Sequence, residues 1–170
     1  MALKLGFGCM RLPLAVEGDF SKVDVQTFER MVDMFLERGF TYFDTAYMYH
    51  DFMSERFVHK ALVERHDRQS FTLASKLPTM MLQKAGDQER IFEEQMQKCG
   101  VDYFDYYLLH SLNAANYRTA ERLDSFGFVS RMKAEGRIRH IGFSFHDTAD
   151  LLDRILTEHP ETEFVQLQIN

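Results

Sequence analysis

Residues 102–110 of the chain read Asp-Tyr-Phe-Asp-Tyr-Tyr-Leu-Leu-His, an aromatic and aliphatic run that ends in an ionisable side chain. Apolar residues occupy both alternating faces of most of this run. That pattern is typical of a strand that is buried on both sides in a parallel sheet. We therefore predict a strand over Tyr103 to His110 and a fold of the α/β class.

Comparable runs along the rest of the chain predict five further strands. They cover Leu3–Cys9, Thr41–Asp44, Phe71–Lys76, His140–Phe145 and Glu163–Asn170. From residue 41 onwards the strand starts are separated by 30, 32, 37 and 23 residues, which is the size of a βα unit. Strict alternation of strands and helices predicts a parallel sheet with helices outside it.

Helical periodicity fills the segments between these strands. Apolar residues recur at intervals of three and four over Phe28–Leu36, which predicts a helix capped by Ser21 and ended by Gly39. Ser54 is expected to cap the next helix. The later helices are expected to begin at Asp87, to run through Phe126–Met132 and Leu151–Leu156, and to end at Gly100, at Gly136 and near Pro160.

Two architectures share this alternation, an open doubly wound sheet and a (β/α)8 TIM-type barrel. The open sheet requires a glycine-rich phosphate loop, but Gly6-Phe7-Gly8 lacks the third glycine and Arg11-Leu12-Pro13 follows it. We therefore favour the barrel. Because a closed barrel needs about 250 residues and at least about 200, residues 1–170 are expected to be the N-terminal part of a single barrel domain, truncated within the sixth strand.

Composition and charge exclude several classes of protein. The chain is 45% hydrophobic and 27% charged, as in an ordinary globular domain. The sequence contains no uninterrupted apolar run of about 18 residues, so we predict no membrane span. The net charge of −6 argues against nucleic acid as a partner. Cys9 and Cys99 lie far apart and the histidines lack metal-ligand spacing, so we expect no metal site and a reducing, cytoplasmic location.

Three successive predicted strands end in an ionisable residue, namely Asp44, Lys76 and His110. The C-terminal ends of all strands in a parallel barrel open at one face, so these side chains are expected to meet there. Asp44 can then compensate the burial of Lys76. Tyr49 lies on the loop above the same face, although Tyr47 is equally close in sequence.

These four side chains form a chemically consistent set. A free phenol is a poor acid near neutral pH, but an adjacent ammonium favours the phenolate and lowers the pKa of a tyrosine. A nearby histidine can donate or accept a hydrogen bond. The set is therefore suited to protonating a carbonyl oxygen while hydride adds to the carbon. His50 and Asp51 could line the substrate mouth, although loop residues of this kind are more often merely solvated.

The motifs around these residues resemble those of the aldo-keto reductases, in the same order along the chain. Phe43-Asp44-Thr45-Ala46-Tyr47-Met48-Tyr49, with Ser54-Glu55 after it, is similar to the first signature of that family. Ala74-Ser75-Lys76-Leu77-Pro78 is similar to its lysine strand. Residues 102–110 resemble its histidine strand, and residues 136–144 resemble the segment that reaches the nicotinamide. The resemblance runs from about Leu5 to Asn170.

The resemblance implies a barrel that reduces small-molecule aldehydes or ketones with hydride from NADPH or NADH. Tyr49 would be the proton donor, because the family spacing selects it over Tyr47. Lys76 would lower the pKa of Tyr49, Asp44 would hold Lys76, and His110 would orient the carbonyl.

The same resemblance implies contacts to the nicotinamide carboxamide from Ser144 and Gln166, with Gln168 as the alternative to Gln166. Phe145 stands where many members have Asn, which leaves one such contact open. The residues of several motifs resemble those of a microbial subgroup of the family. Full-length members of that subgroup often carry an iron–sulfur-type C-terminal segment. The cysteines of such a segment are absent here, so no cluster is predicted. The substrate, the choice of coenzyme and the oligomeric state stay open.

Two alternative functions remain at this point. The chain could be a barrel with little turnover that acts as a cofactor-binding or regulatory module, as Phe145 and the missing strands suggest. It could also be a barrel lyase or isomerase that uses Lys76 as a Schiff-base nucleophile. The second alternative leaves Tyr49 without a role.

Overall fold

A computed structural model describes residues 5–169, in which parallel strands alternate with helices. The strands are β1 (Gly6–Gly8), β2 (Tyr42–Asp44), β3 (Thr72–Leu77), β4 (Phe104–Leu112), β5 (Ile138–Phe145) and β6 (Phe164–Leu167). The helices are α1 (Val25–Glu37), α2 (Tyr49–Phe52), α3 (Ser54–Val58), α4 (Gly86–Cys99), α5 (Ala114–Arg122), α6 (Ser125–Ala134) and α7 (Ala149–Glu158), of which α2 is a single turn with left-handed backbone at His50 and Asp51. The predicted α/β class is confirmed.

Each predicted strand has a counterpart, but several bounds differ. β4 continues two residues beyond His110, and β6 covers only Phe164–Leu167. Leu3 and Asn170, at the outer ends of the first and last predicted strands, lie outside the described residues. A π-helical turn over His59–Val63 follows α3, and 3₁₀ turns over Arg68–Ser70 and Thr79–Met81 flank β3.

The described residues divide into two compact units. The first unit contains the chain up to Ser75 together with Gln95–Asp102, and the second contains Lys76–Glu94 and the chain from Tyr103 onwards. β3 and α4 each contribute residues to both units, because the divisions fall within these two elements.

In the first unit, β1 pairs with β2 and β2 pairs with β3, both in parallel. The register places Phe7 opposite Phe43. The ring of Phe7 also lies 5.7 Å from that of Phe28 and 5.4 Å from that of Phe35, both on α1. α1 therefore packs its aromatic face on this part of the sheet, and burial of these rings is a main source of stability in the unit.

In the second unit, β4 pairs with β5 and β5 pairs with β6, again in parallel. The β4–β5 register shifts between Leu109 and Leu112, which marks an irregularity in β4 directly after the middle of the strand. Phe92 of α4 is central to the packing. Its ring centroid lies 5.9 Å from Phe104, 5.0 Å from Tyr107 and 5.9 Å from Phe128.

The predicted helix ends at three glycines are confirmed. Gly39, Gly100 and Gly136 all have positive φ, at 82°, 67° and 78°. A residue without a Cβ adopts this left-handed conformation at little cost, which is why glycine is common directly after a helix.

Two predicted helix starts are wrong. Asp24, not Ser21, caps α1, since its side chain accepts the N–H of Thr27 at 3.0 Å. Ser21 donates to Asp19 instead. Ser54 is the first residue of α3, and its hydroxyl contacts Thr45 Oγ1 rather than the helix backbone.

Helix α5 had no counterpart in the sequence prediction. Asn113 caps it by accepting the N–H groups of Ala115 and Asn116 at 3.0 and 2.9 Å. Only Tyr117 and Ala120 are buried along its nine residues. An apolar face of two residues is too narrow to give a clear helical period in the sequence.

Candidate active site

Asp44 is the last residue of β2 and is only 7% exposed. Strand pairing fixes its backbone, because its carbonyl accepts the N–H of Cys9 at 2.8 Å and the next N–H, that of Thr45, donates to Ala74 O at 2.9 Å. The hydroxyl of Tyr42 lies 3.5 Å from Asp44 Oδ2. The carboxylate is thus held at the C-terminal end of the first unit's strands.

The two tyrosines that follow Asp44 have different surroundings. Tyr47 is 8% exposed, with Lys98 Nζ 4.3 Å from its ring centroid and the ring of Phe52 packed edge-on at 5.4 Å. Tyr49 begins α2 and is half-buried. The ring of Tyr47 is therefore part of the packing, whereas Tyr49 keeps part of its surface accessible.

His50, directly after Tyr49, is not a solvated loop residue. It is 4% exposed, and its two ring nitrogens contact Leu12 N and Phe20 O. These partners lie 38 and 30 residues away in sequence, so no local pattern indicates the contacts.

A buried polar cluster lies where α3 meets the strands of the first unit. Glu55 Oε1 accepts the hydroxyl of Ser75 at 2.7 Å and the side-chain amide of Gln95 at 2.7 Å. All three residues are fully buried. Ser75 directly precedes Lys76, and successive residues of a strand point to opposite faces, so their side chains project from opposite faces of β3.

Lys76 and His110 both belong to the second unit. Lys76 is 1% exposed. Burial of the His110 ring lowers the pKa of that imidazole, and the ammonium of Lys76 and the side chain of His146 lower it further, to about 3. The imidazole of His110 is therefore neutral at pH 7 and can donate or accept a hydrogen bond without carrying charge.

The backbone of β4 makes a local left-handed turn at Ser111, directly after His110, where the pairing with β5 shifts. Ser111 has φ of 54°, a left-handed conformation that is uncommon for a residue other than glycine. Its N–H donates to Ser144 Oγ at 2.7 Å, and its carbonyl accepts the side-chain amide of Asn116 at 2.7 Å. The hydroxyl of Thr79 donates to the carbonyl of His110 at 2.6 Å. Three side chains from three elements thus fix the backbone on both sides of this turn.

Ser144 and Gln166 are register partners on β5 and β6. Side chains of register partners project from the same face of a sheet, so these two are neighbours. Ser144 is 4% exposed and Gln166 is exposed. Gln168 lies beyond the end of β6 and lines a cavity of 530 Å³ with residues of the β5–α7 connection, His146 among them.

The second unit thus brings together four of the six sequence-predicted site residues: Lys76, His110, Ser144 and Gln166. Asp44 and Tyr49 belong to the first unit. Sequence reasoning missed Thr79 and Asn116 as contacts of the His110–Ser111 backbone. Asn113 is a residue type that commonly caps helices, and this local signal could have indicated α5 and, with it, Asn116 in its first turn.

The family model for the aldo/keto reductases matches residues 4–170. The chain belongs to the aldo/keto reductase family. A curated relative from Glycine max, Probable aldo-keto reductase 1, is 27% identical over 167 residues, which are 94% of this chain and 46% of the relative. Methylglyoxal reductase YeaE of Escherichia coli K12 is 32% identical over 118 residues, 68% of this chain and 38% of the relative.

Solved aldo-keto reductase structures superimpose well on this member of the family. The holo form of AKR11C1 from Bacillus halodurans has a TM-score of 0.73 at 26% identity, over 98% of this chain and 53% of that one. An enzyme from Klebsiella pneumoniae, in complex with NADPH, has a TM-score of 0.70 at 25% identity, over 96% and 53%. These neighbours are TIM-type barrels. The chain spans about half the length of the relatives and structures it matches.

None of the helices between residues 5 and 169 combines the length and apolar content that crossing a bilayer requires. Within the same stretch, no group of three or more His, Cys, Asp or Glu side chains could hold a metal ion.

Proposed function

We propose that this aldo/keto reductase reduces an aldehyde or ketone to an alcohol, with Tyr49 as the proton donor. The nicotinamide of NADPH or NADH would supply the hydride. The observation that carries the proposal is that buried Lys76 on β3 and His110 on β4 belong to one unit, where Lys76 and burial of the ring together keep the imidazole of His110 neutral. This pairing of charged and uncharged groups suits a carbonyl whose oxygen becomes negative as the reaction proceeds.

Each candidate residue has a distinct part in this proposal. His110, neutral at pH 7, would donate a hydrogen bond to the carbonyl oxygen and orient it. Lys76 would favour the phenolate of Tyr49, and Asp44 would hold Lys76 in place. Tyr49 is preferred to Tyr47 because the ring of Tyr47 is buried and packed against Lys98, whereas Tyr49 is only half-buried.

The residues present fit a nicotinamide carboxamide. Ser144 Oγ accepts the N–H of Ser111 and retains its own hydrogen as a donor. Gln166, its register partner, offers a donor and an acceptor on the same face of the sheet. We therefore propose Ser144 and Gln166 as contacts of the carboxamide, while NADPH is favoured by the complex that the Klebsiella pneumoniae relative forms.

The substrate class is proposed to be a small carbonyl compound. The similarity to methylglyoxal reductase of Escherichia coli makes methylglyoxal the first compound to assay. We place the reaction in the cytoplasm, because Cys9 and Cys99 are buried cysteines that form no disulfide between residues 5 and 169.

The test is an assay of carbonyl reduction by the protein expressed from its complete gene. Methylglyoxal and a panel of aldehydes and ketones are the substrates, and the loss of nicotinamide absorbance measures the reaction. Tyr49→Phe is expected to lower kcat by about 100-fold or more, since general acid catalysis contributes about 10²–10⁴-fold. Tyr47→Phe is the matched control, because it keeps the buried ring and is expected to retain kcat within about threefold. Equal activity of the two variants would show that the acid is wrongly assigned.

A further inference from the structure

We propose that His50 is a positioning residue for Tyr49. Its buried ring holds a left-handed turn that starts directly after Tyr49, and it does so by contacting the backbone of the segment between β1 and α1. The inference rests on the proposed function, because it takes Tyr49 as the acid. It concerns the first unit alone, to which all the residues involved belong.

The backbone after Tyr49 is held in an uncommon conformation. His50, Asp51 and Phe52 have φ of 51°, 52° and 67°, three successive left-handed residues of which none is glycine. Single residues of this kind are uncommon, and a run of three persists only where surrounding contacts determine it. Asp51 and Phe52 are exposed, although the Phe52 ring also packs on Tyr47, and among these three residues the buried side chain is that of His50.

The ring of His50 has two defined hydrogen bonds. Leu12 N–H donates to Nε2 at 3.1 Å, so Nε2 carries no hydrogen. Nδ1 therefore holds the hydrogen of the neutral ring and donates it to Phe20 O at 3.0 Å. The ring is 4% exposed, and its centroid lies 6.0 Å from that of Phe20. One side chain thus bridges two backbone groups that lie eight residues apart in sequence.

The segment that His50 contacts has hydrogen bonds of its own. Leu14 and Val23 form an antiparallel bridge, Ala15 N–H donates to Lys22 O at 2.8 Å, and Asp24 N–H donates to Pro13 O at 2.8 Å. Residues 13–24 therefore form a hairpin, which we call the 13–24 hairpin. Phe20 lies within this hairpin and Leu12 directly precedes it, so both partners of His50 belong to a segment that is held by its own hydrogen bonds.

Tyr49 and His50 share a peptide bond, so the backbone angles at His50 determine how the Cα of Tyr49 is oriented. A ring that cannot move relative to the 13–24 hairpin fixes those angles. Without the two hydrogen bonds of the His50 ring, the turn would relax toward ordinary backbone conformations. This relaxation would move the phenol of Tyr49 out of its catalytic position. Misplacing a catalytic group by about 1 Å can cost about 100-fold in rate.

The contact itself is tested without any activity, by hydrogen exchange of the Leu12 amide in the protein expressed from its complete gene. His50→Phe keeps a ring but neither hydrogen bond. His50→Gln keeps one acceptor and one donor. The control is His66→Phe, which removes a half-buried imidazole whose Nε2 lies 2.9 Å from Asp33 Oδ1, elsewhere in the same unit. We expect Leu12 exchange to accelerate about tenfold or more in His50→Phe and in neither of the other two variants.

The role in catalysis is tested by steady-state kinetics and by a double substitution. His50→Phe is expected to lower kcat about tenfold or more with KM changed less than about threefold, and His50→Gln to restore most of kcat. In a Tyr49→Phe background, His50→Phe is expected to have no further effect on kcat, because a residue that acts through Tyr49 has nothing left to position. His50→Asn replaces His50→Phe if the latter does not fold, since Asn tolerates the left-handed backbone but is too short to reach both partners.

The outcomes separate the inference from the proposed function. Unchanged Leu12 exchange in His50→Phe, or a full additional loss of kcat in the double variant, would overturn the positioning role while leaving Tyr49 as the acid. Wild-type kcat in Tyr49→Phe would overturn the proposed function, and the positioning role with it, even if Leu12 exchange responds as expected. The positioning role of His50 is supported if His50→Phe accelerates Leu12 exchange, lowers kcat selectively and has no further effect on kcat in the Tyr49→Phe background.

Discussion

The backbone N–H of Ser111 donates to Ser144 Oγ over 2.7 Å, which joins the turn after His110 on β4 to the end of β5. Ser111 adopts a left-handed conformation, and this bond together with that from Asn116 offsets the cost of that conformation. Ser144, which we propose contacts the nicotinamide, thus also fixes the backbone beside His110, which we propose orients the carbonyl.

Ser144→Ala is expected to destabilise the protein, because it removes the acceptor of a part-buried backbone N–H in a strained turn. The expected loss is about 1–2 kcal/mol in the free energy of unfolding, measured by denaturant titration. Ser125→Ala serves as the control, since Ser125 Oγ is buried and has no hydrogen-bond partner in the part of the chain that the structure describes. An equal change in both variants would contradict the role of the Ser111 bond.

Gly142→Ala is expected to destabilise the protein by about 2 kcal/mol or more. A Cβ at Gly142 of β5 would collide with the carbonyl oxygen of Phe164 and lie 2.8 Å from two carbons of its ring. That carbonyl belongs to the paired strand β6 and cannot move aside cheaply. Gly86→Ala is the matched control, because a Cβ at the first residue of α4 meets nothing within 4 Å and is expected to leave stability unchanged or raise it by about 0.5 kcal/mol.

His110 is expected to stay neutral between about pH 8 and pH 5. Burial lowers the pKa of His110 to about 3, with further contributions from Lys76 and His146. The unfolded chain binds a proton at this residue from about pH 6.5 downwards while the folded chain does not, so stability present above pH 6.5 is lost as pH falls toward 3. Nitrogen-edited NMR of the imidazole should show no titration between about pH 8 and pH 5; a midpoint near 6.5 would contradict the burial.

Glu163 is expected to contribute to stability at neutral pH and to lose that contribution in acid. Burial raises the pKa of Glu163, but hydrogen bonds from Lys133, from the His140 ring and from Ile141 N–H outweigh burial and lower it to about 2. A depressed carboxyl pKa contributes stability above the unfolded value of about 4.5, and this is lost as pH falls toward 2. The difference in thermal midpoint between wild type and Glu163→Gln should therefore shrink over this range, and a constant difference would argue against the prediction.

Glu55→Ala is expected to be among the most destabilising substitutions in the first unit. It removes the oxygen that accepts from Ser75 and Gln95, both fully buried. A buried polar group that loses its partner costs about 1–3 kcal/mol, so a loss of about 2–4 kcal/mol in unfolding free energy is expected for the pair. Glu55→Gln keeps a side-chain oxygen at this place and should recover part of the loss; failure to do so would show that the charge matters more than the hydrogen bonds.

Features with a local cause were predictable from the sequence. Gly39, Gly100 and Gly136 end helices because only glycine takes positive φ at little cost, and a glycine after an apolar helical period can be recognised without the fold. The strands were predictable for a similar reason, since burial on both faces requires apolar residues at successive positions. The ends of the strands were less predictable. β4, for example, continues past His110 to Leu112 through a shift in its pairing with β5.

Other features depended on contacts between distant residues. His50 contacts groups 38 and 30 residues away, Ser111 contacts Ser144 33 residues away, and Glu55 contacts Ser75 and Gln95, 20 and 40 residues away. The sequence around His50 is that of a solvated loop, and nothing local distinguishes Ser111 from an ordinary strand residue. Their conformations follow from partners that only the folded chain supplies.

The sequence by itself determined the alternation of strands and helices, the order of the family motifs and the candidate residues Asp44, Tyr49, Lys76, His110, Ser144 and Gln166. Apolar periodicity and glycine are local properties, and they act before any long-range contact forms. Tertiary structure alone determined the neutral state of His110, the left-handed turns after Tyr49 and His110, and the buried cluster around Glu55. Each of these requires the exclusion of water and a hydrogen-bond partner from another element, which no short stretch of sequence contains.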